Sequence, residues 1–135
     1  MTRRSGSELE DLFAFQVRAY RLPPVTREWR FAQQALGRQW RIDFAWPELL
    51  VGVEIEGFVV SKSGATGGRH ATIQGIRGDL EKYNAAAELG ITLLRYESTA
   101  IRKGIAINQV QRVLHRRRNH GSETNQSAAG AESAS

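Results

Sequence analysis

From residue 9 onward the apolar positions fall at helical intervals. Leu9, Leu12, Phe13, Val17 and Tyr20 share one face with Gln16, which predicts an amphipathic helix. Ser7, three residues before Glu10, fits a capping box at its start. The "LPP" of 22–24 ends it near Leu22. "TREWRFA" (26–32) then predicts a short edge strand. After it the pattern changes to strict alternation. Trp40, Ile42, Phe44 and Trp46 alternate with Arg41, Asp43 and Ala45, and Val51, Val53 and Ile55 alternate with Gly52, Glu54 and Glu56. Two such runs with Pro47 and Glu48 between them predict a hairpin. A turn at 47–48 sets Asp43 opposite Gly52 and, if Asp43 and Glu54 share a face, makes Glu54 its diagonal neighbour, roughly 7–8 Å away at the backbone. Gly52 leaves room between the two acids, and sheet twist narrows the gap.

"SKSGATGGRHATIQG" (61–75) has the composition of a loop. "RGDLEKYNAAAELG" (77–90) predicts a helix closed by Gly90. "ITLLRYE" (91–97) predicts a strand lying parallel to the Val51–Glu56 strand through a right-handed crossover. A last helix within 98–118 carries Ile107, Val110, Val113 and Leu114 on its apolar face and ends at Arg116, Arg117 and Arg118. Residues 119–135 are polar and predict a disordered tail. The order α-β-β-β-α-β-α over residues 1–118 defines one α/β (α+β) domain, a mixed four-stranded sheet flanked by helices.

Composition narrows the chemistry. The chain of 135 residues has no cysteine, so disulfides and thiolate zinc sites are excluded. No apolar run approaches the length of a membrane span, and the N-terminus lacks the apolar core of a secretion signal. A soluble cytoplasmic protein is the expectation. The net charge is +5, and the 119–135 segment holds two glutamates and no Lys or Arg, so the excess of positive charge lies in the domain. A small domain this basic suits a polyanion, with nucleic acid as the first candidate.

Against that background the acids stand out. Asp43, Glu54 and Glu56 come from a single hairpin, and their mutual repulsion calls for a cation. Hard divalent ions such as Mg²⁺ take carboxylate oxygens together with phosphate and water, an arrangement suited to phosphodiester hydrolysis. The competing reading is a solvated strand face with an ordinary Arg–Asp pair.

"RIDFAWP…VGVEIEG" resembles the central motif of the PD-(D/E)XK nuclease superfamily. The longer run through "GGRH" and "GDLEKYNAAAELGITLLRY", about residues 8 to 98, resembles small phage and prophage endonuclease-like proteins related to very-short-patch repair endonucleases. The resemblance implies a restriction-endonuclease-like core. It makes Asp43 the superfamily's metal-ligand acid and Glu54 the second ligand, with Mg²⁺, or Mn²⁺ in its place, as cofactor. Glu56 stands where the superfamily usually has lysine. It becomes a general base or a water-mediated ligand, and Lys82 on the crossover helix becomes the candidate migrated lysine. Glu10 corresponds to the acid of the first helix that reaches the metal through water. His70 matches a histidine near the metal.

Lys62 and Arg69 flank the loop glycines, and with Arg116, Arg117 and Arg118 they are the expected contacts to a DNA backbone. The implied function is metal-dependent endonuclease action on DNA by a bacterial or phage-encoded protein, with a homodimer and a specificity partner among the expected partners and no membrane. The alternative is a noncatalytic nucleic-acid-binding module that keeps the fold. A third reading is a basic RNA-associated protein that uses no metal.

Overall fold

The computed structural model describes residues 5–56, 59–60, 66–67 and 73–132, with side chains described over 8–56 and 73–121. Helix α1 spans Ser5–Ala19. Strand β1 is Thr26–Trp29 and a single turn, α2, is Gln33–Leu36. Strand β2 (Ile42–Trp46) passes through a 3₁₀ turn at Pro47–Leu49 into β3 (Val51–Ile55). Two short strands, β4 (Val59–Val60) and β5 (Thr66–Gly67), pair antiparallel, the second of them inside the stretch whose composition predicts a loop. Helix α3 (Ile73–Glu88) leads to β6 (Thr92–Tyr96), then α4 (Ser98–Arg102) and α5 (Ile105–Glu132).

The expected architecture is present: a four-stranded mixed sheet flanked by helices, in the order β1-β2-β3-β6. Its first two pairings are antiparallel, and β3 pairs parallel with β6 across the α3 crossover. One face carries the larger apolar cluster, in which Phe44, Trp46, Val51 and Val53 meet Leu9, Phe13 and Val17 of α1 and Ile107, Val110 and Leu114 of α5. Phe13 meets Phe44 edge to face, with ring centroids 4.8 Å apart. Each large side chain buried there stabilises the fold by about 1.5–3 kcal/mol. The opposite face packs Ile42 and Ala45 against Ala85, Ala86 and Ile91 of the α3 side.

Three local features differ from the sequence-based expectation. The hairpin turn is longer: Leu50 adopts a left-handed conformation (φ 54°) after the 3₁₀ turn, so Gly52 pairs with Ala45 rather than Asp43. The space at Gly52 is not left for the acids. A Cβ there would lie 2.8 Å from Ile42 Cγ2 and 3.3 Å from Leu93 Cδ1, so the glycine lets the strand pack under those side chains.

The last helix is split at Gly104, whose φ of 76° suits a residue without Cβ. The Glu97 carboxylate starts α4 by accepting from the Thr99 and Ala100 N–H groups at 2.7 and 2.9 Å. Finally, α5 does not end at Arg116–Arg118. It continues to Glu132 through residues for which composition predicts disorder. Ala128, Ala129 and Ala131 favour the helix there. Those arginines therefore do not serve to neutralise a helix C-terminus.

Candidate functional site

The pleat of β2 breaks at Asp43. Phe44 lies in the α1-side cluster, yet Ile42, two residues earlier, lies in the α3-side cluster with Ala45. Regular alternation would set Ile42 beside Phe44. Across the ladder Arg27 pairs with Phe44 and Trp29 with Ile42, so Glu28 faces Asp43 on the irregular rung. Glu28 has φ 53°, a left-handed conformation that costs a non-glycine residue about 1 kcal/mol. Strain of this kind concentrates at functional sites.

At this break the Asp43 side chain takes the place of a ladder partner: its Oδ2 accepts the Ile55 N–H at 3.0 Å. Carboxylate oxygens of Asp43, Glu28 and Glu10 lie within 4.8 Å of one another. Helix α1 supplies Glu10, one residue beyond the buried Leu9. Helix α1 begins at Ser5, which sets Ser7 inside its first turn, and the Glu10 carboxylate reaches Arg27 at 3.5 Å. Arg41 stands 3.8 Å from Glu28. Both ion pairs are substantially exposed and offset little of the repulsion. Burial raises the Glu10 carboxyl above its ordinary value, and the charge of Asp43 adds to the rise.

On the α3 side of the sheet lies a second set. Glu54 and Glu56 are each only 7% exposed. Glu54 pairs with Lys82 of α3. The Arg95 Nε donates to Glu56 Oε1 at 2.7 Å. Between them stands Tyr83, its hydroxyl 3.3 Å from Glu54 Oε2 and 3.2 Å from Glu56 Oε1. One phenolic proton serves one carboxylate at a time. The Arg95 guanidinium also lies 3.9 Å from the centre of the Tyr83 ring. Burial, then the charges of Glu54 and Glu56, push the Tyr83 hydroxyl well above its ordinary pKa, so it remains a donor.

Burial also raises the Glu54 carboxyl, with Asp43 and Glu56 adding to the rise and Lys82 opposing it. The native state therefore holds a proton on Glu54 at pH values where the unfolded chain has lost it. Between the ordinary value of 4.5 and the raised native one, stability falls as pH rises. Glu10 contributes with the same sign. In metal-free protein we expect urea midpoints to decline as pH rises through that window, and Glu54→Gln to flatten the decline.

The structure thus brings Asp43 together with Glu10, and Glu54 together with Lys82. Glu54 does not belong to the Glu10–Glu28–Asp43 cluster, although the Asp43 charge acts on it. Lys62, Arg69 and His70 lie outside the described residues. Arg116 and Arg117 line a cleft on α5, with Arg118 beside them on the same helix.

Sequence reasoning missed Glu28, Tyr83 and Arg95. Arg95 had a usable signal, a lone charge inside an apolar strand. Glu28 is found only through the β1–β2 register. Comparison with protein-family models, curated proteins and solved structures returns no match. Among the described residues no helix is long and apolar enough to cross a membrane.

Proposed function

We propose that the protein is a metal-dependent endonuclease acting on DNA, of the PD-(D/E)XK type that its motif resembles. The observation that carries this reading is the gathering of Asp43, Glu10 and Glu28 oxygens within 4.8 Å at a strained break in the sheet, beside the buried Glu54–Lys82 pair. An all-carboxylate donor set suits Mg²⁺ or Mn²⁺. Asp43 and Glu10 would hold the ion, with Glu28 as an additional ligand and Glu54 completing the site from the β3 side. Bound there, the ion would polarise the scissile phosphate and acidify a water.

The chain's own residues supply the rest. Asp43 is fixed by the Ile55 N–H, so its carboxylate is oriented before any ligand arrives. Lys82, paired with Glu54 from α3, serves to contact a phosphate oxygen. Glu56 accepts from Arg95 and Tyr83 through one oxygen. It positions that side of the site. The same reading sets the protein in a bacterial cytoplasm, its own gene or a phage's supplying it. Dimerisation would allow both strands to be cut, and a partner protein would supply sequence specificity.

A second reading is favoured by one specific observation: Lys82 and Arg95 already neutralise Glu54 and Glu56, so those two acids need no ion to be buried. A noncatalytic nucleic-acid-binding module would look like this. The two readings separate in a panel of linear, single-stranded, branched and mismatched DNA and RNA, with Mg²⁺ or Mn²⁺, and with Glu54→Ala as control. Cleavage of DNA that needs metal and disappears in Glu54→Ala is the expected result. Equal cutting by Glu54→Ala would assign the activity elsewhere. Calorimetric metal binding without cleavage of any substrate would favour the module.

A further inference from the structure

The basic stretch of α5 sits at the opposite end of the sheet from the acids. Arg117 donates to Thr92 Oγ1, and Thr92 is the first residue of β6. The Thr92 N–H bonds to the Leu50 carbonyl at 2.9 Å, in the hairpin turn. Helix α5 also packs against that turn. The acids occupy the other end. Glu54 pairs with Arg95, and Ile55, whose N–H holds Asp43, pairs with Tyr96. Four strand steps separate Thr92 from Tyr96, about 13 Å.

At the turn end, Val113, Arg116, Arg117 and His120 line an open cleft of about 490 Å³. Their spacing along α5 places them on one helix face. The chain from Arg112 to His120 contains no acidic residue. Because α5 continues past these arginines, their charge is not spent on a helix end.

We infer that this cleft is a second nucleic-acid contact, which grips backbone phosphates of a duplex and anchors it away from the acidic site. The side-chain set decides the ligand. No Phe, Tyr or Trp lies between Arg112 and His120, so His120 is the one aromatic ring of the cleft, and the cleft lacks the row of large aromatic side chains on which successive bases of a single strand stack. The apolar face of α5, with Ile107, Val110 and Leu114, is buried in the core, and the half-buried Val113 is the one apolar side chain lining the cleft, too little to insert into a lipid surface. What remains is a basic stripe suited to a polyphosphate backbone. The inference rests on nucleic acid being the ligand and does not need cleavage.

The test is fluorescence anisotropy with a labelled DNA duplex of several helical turns, without divalent metal, over a range of salt concentrations. Arg116 is exposed, and Arg116→Gln is expected to weaken binding several-fold. It should also lower the slope of log K against log salt by about 1. Arg116→Lys should retain the slope, and Arg18→Gln, an exposed charge on α1, should change it less. The same loss is expected in an Asp43→Asn background, because separated sites without shared partners act additively. A wild-type slope in Arg116→Gln, a loss no larger than that of Arg18→Gln, or a loss that vanishes in the Asp43→Asn background overturns the inference. Loss of slope in a protein that cuts nothing leaves it standing and removes only the cleavage reading.

Discussion

Asp43→Asn is expected to reduce metal-dependent cleavage by more than ~100-fold, since even residues that merely support a metal ligand are worth about 10–100-fold. The same substitution should leave the metal-free protein at least as stable as before. Asparagine keeps an oxygen that accepts the Ile55 N–H, so the junction between β2 and β3 survives. It removes one of three carboxylates whose oxygens lie within 4.8 Å of one another, which relieves repulsion on Glu10 and on Glu54. The two effects have opposite signs, and that makes the experiment informative. Thermal melts in EDTA and in Mn²⁺ check it: wild type should gain stability from the ion and Asp43→Asn should gain much less. A variant that loses stability in EDTA would mean that Asp43 is a structural acid held by its neighbours. A variant that still cuts at the wild-type rate would remove Asp43 from the site.

Much of this arrangement is legible in the chain, and the reasons for the rest are physical. Alternation around Val51, Val53 and Ile55 identifies the buried strand and turns Glu54 and Glu56 to the other face, where they are found. The turn is longer than Pro47–Glu48 alone suggests. The extension shifts the register by an even number of residues and so leaves the facing of Glu54 unchanged. The break at Asp43 has no such signature: Trp40, Ile42, Phe44 and Trp46 alternate in sequence as if the strand were regular. Only the left-handed Glu28 across the ladder and the move of Ile42 to the other face reveal it. Glu28 enters the cluster through pairing between strands separated by α2, which periodicity does not encode. Lys82 shows the opposite case. The resemblance singles it out as a contact to phosphate or water, and helix α3 sets it against Glu54.

Lys82→Met is expected to destabilise the fold by about 3 kcal/mol, the lower end of the cost of removing one partner from a buried ion pair. Glu54 is 7% exposed, and its pair with Lys82 is the contact that neutralises it. Without the ammonium, the Tyr83 hydroxyl is a remaining donor, and Glu56 competes for its single proton. Glu54 then takes up a proton, which limits the loss and makes it deepen as pH rises, since a carboxyl with a further-raised native pKa sheds stability on the alkaline side of its ordinary value.

Adding Glu54→Gln to Lys82→Met removes the orphaned charge and is expected to recover most of the stability, because replacing both partners of a buried pair is far cheaper than replacing one. Cleavage should not return in the double variant. A lysine needed only to neutralise Glu54 becomes dispensable once Glu54 is neutral. A lysine that contacts the phosphate does not, and under the reading proposed here Glu54 is itself a ligand. Denaturant midpoints for the wild type, both single variants and the double variant give the coupling energy, and calorimetry with Mn²⁺ on the same four proteins gives the metal affinity. Full recovery of stability together with wild-type metal binding in the double variant would make Glu54 and Lys82 a structural pair, and would leave Glu10, Glu28 and Asp43 to hold the ion alone.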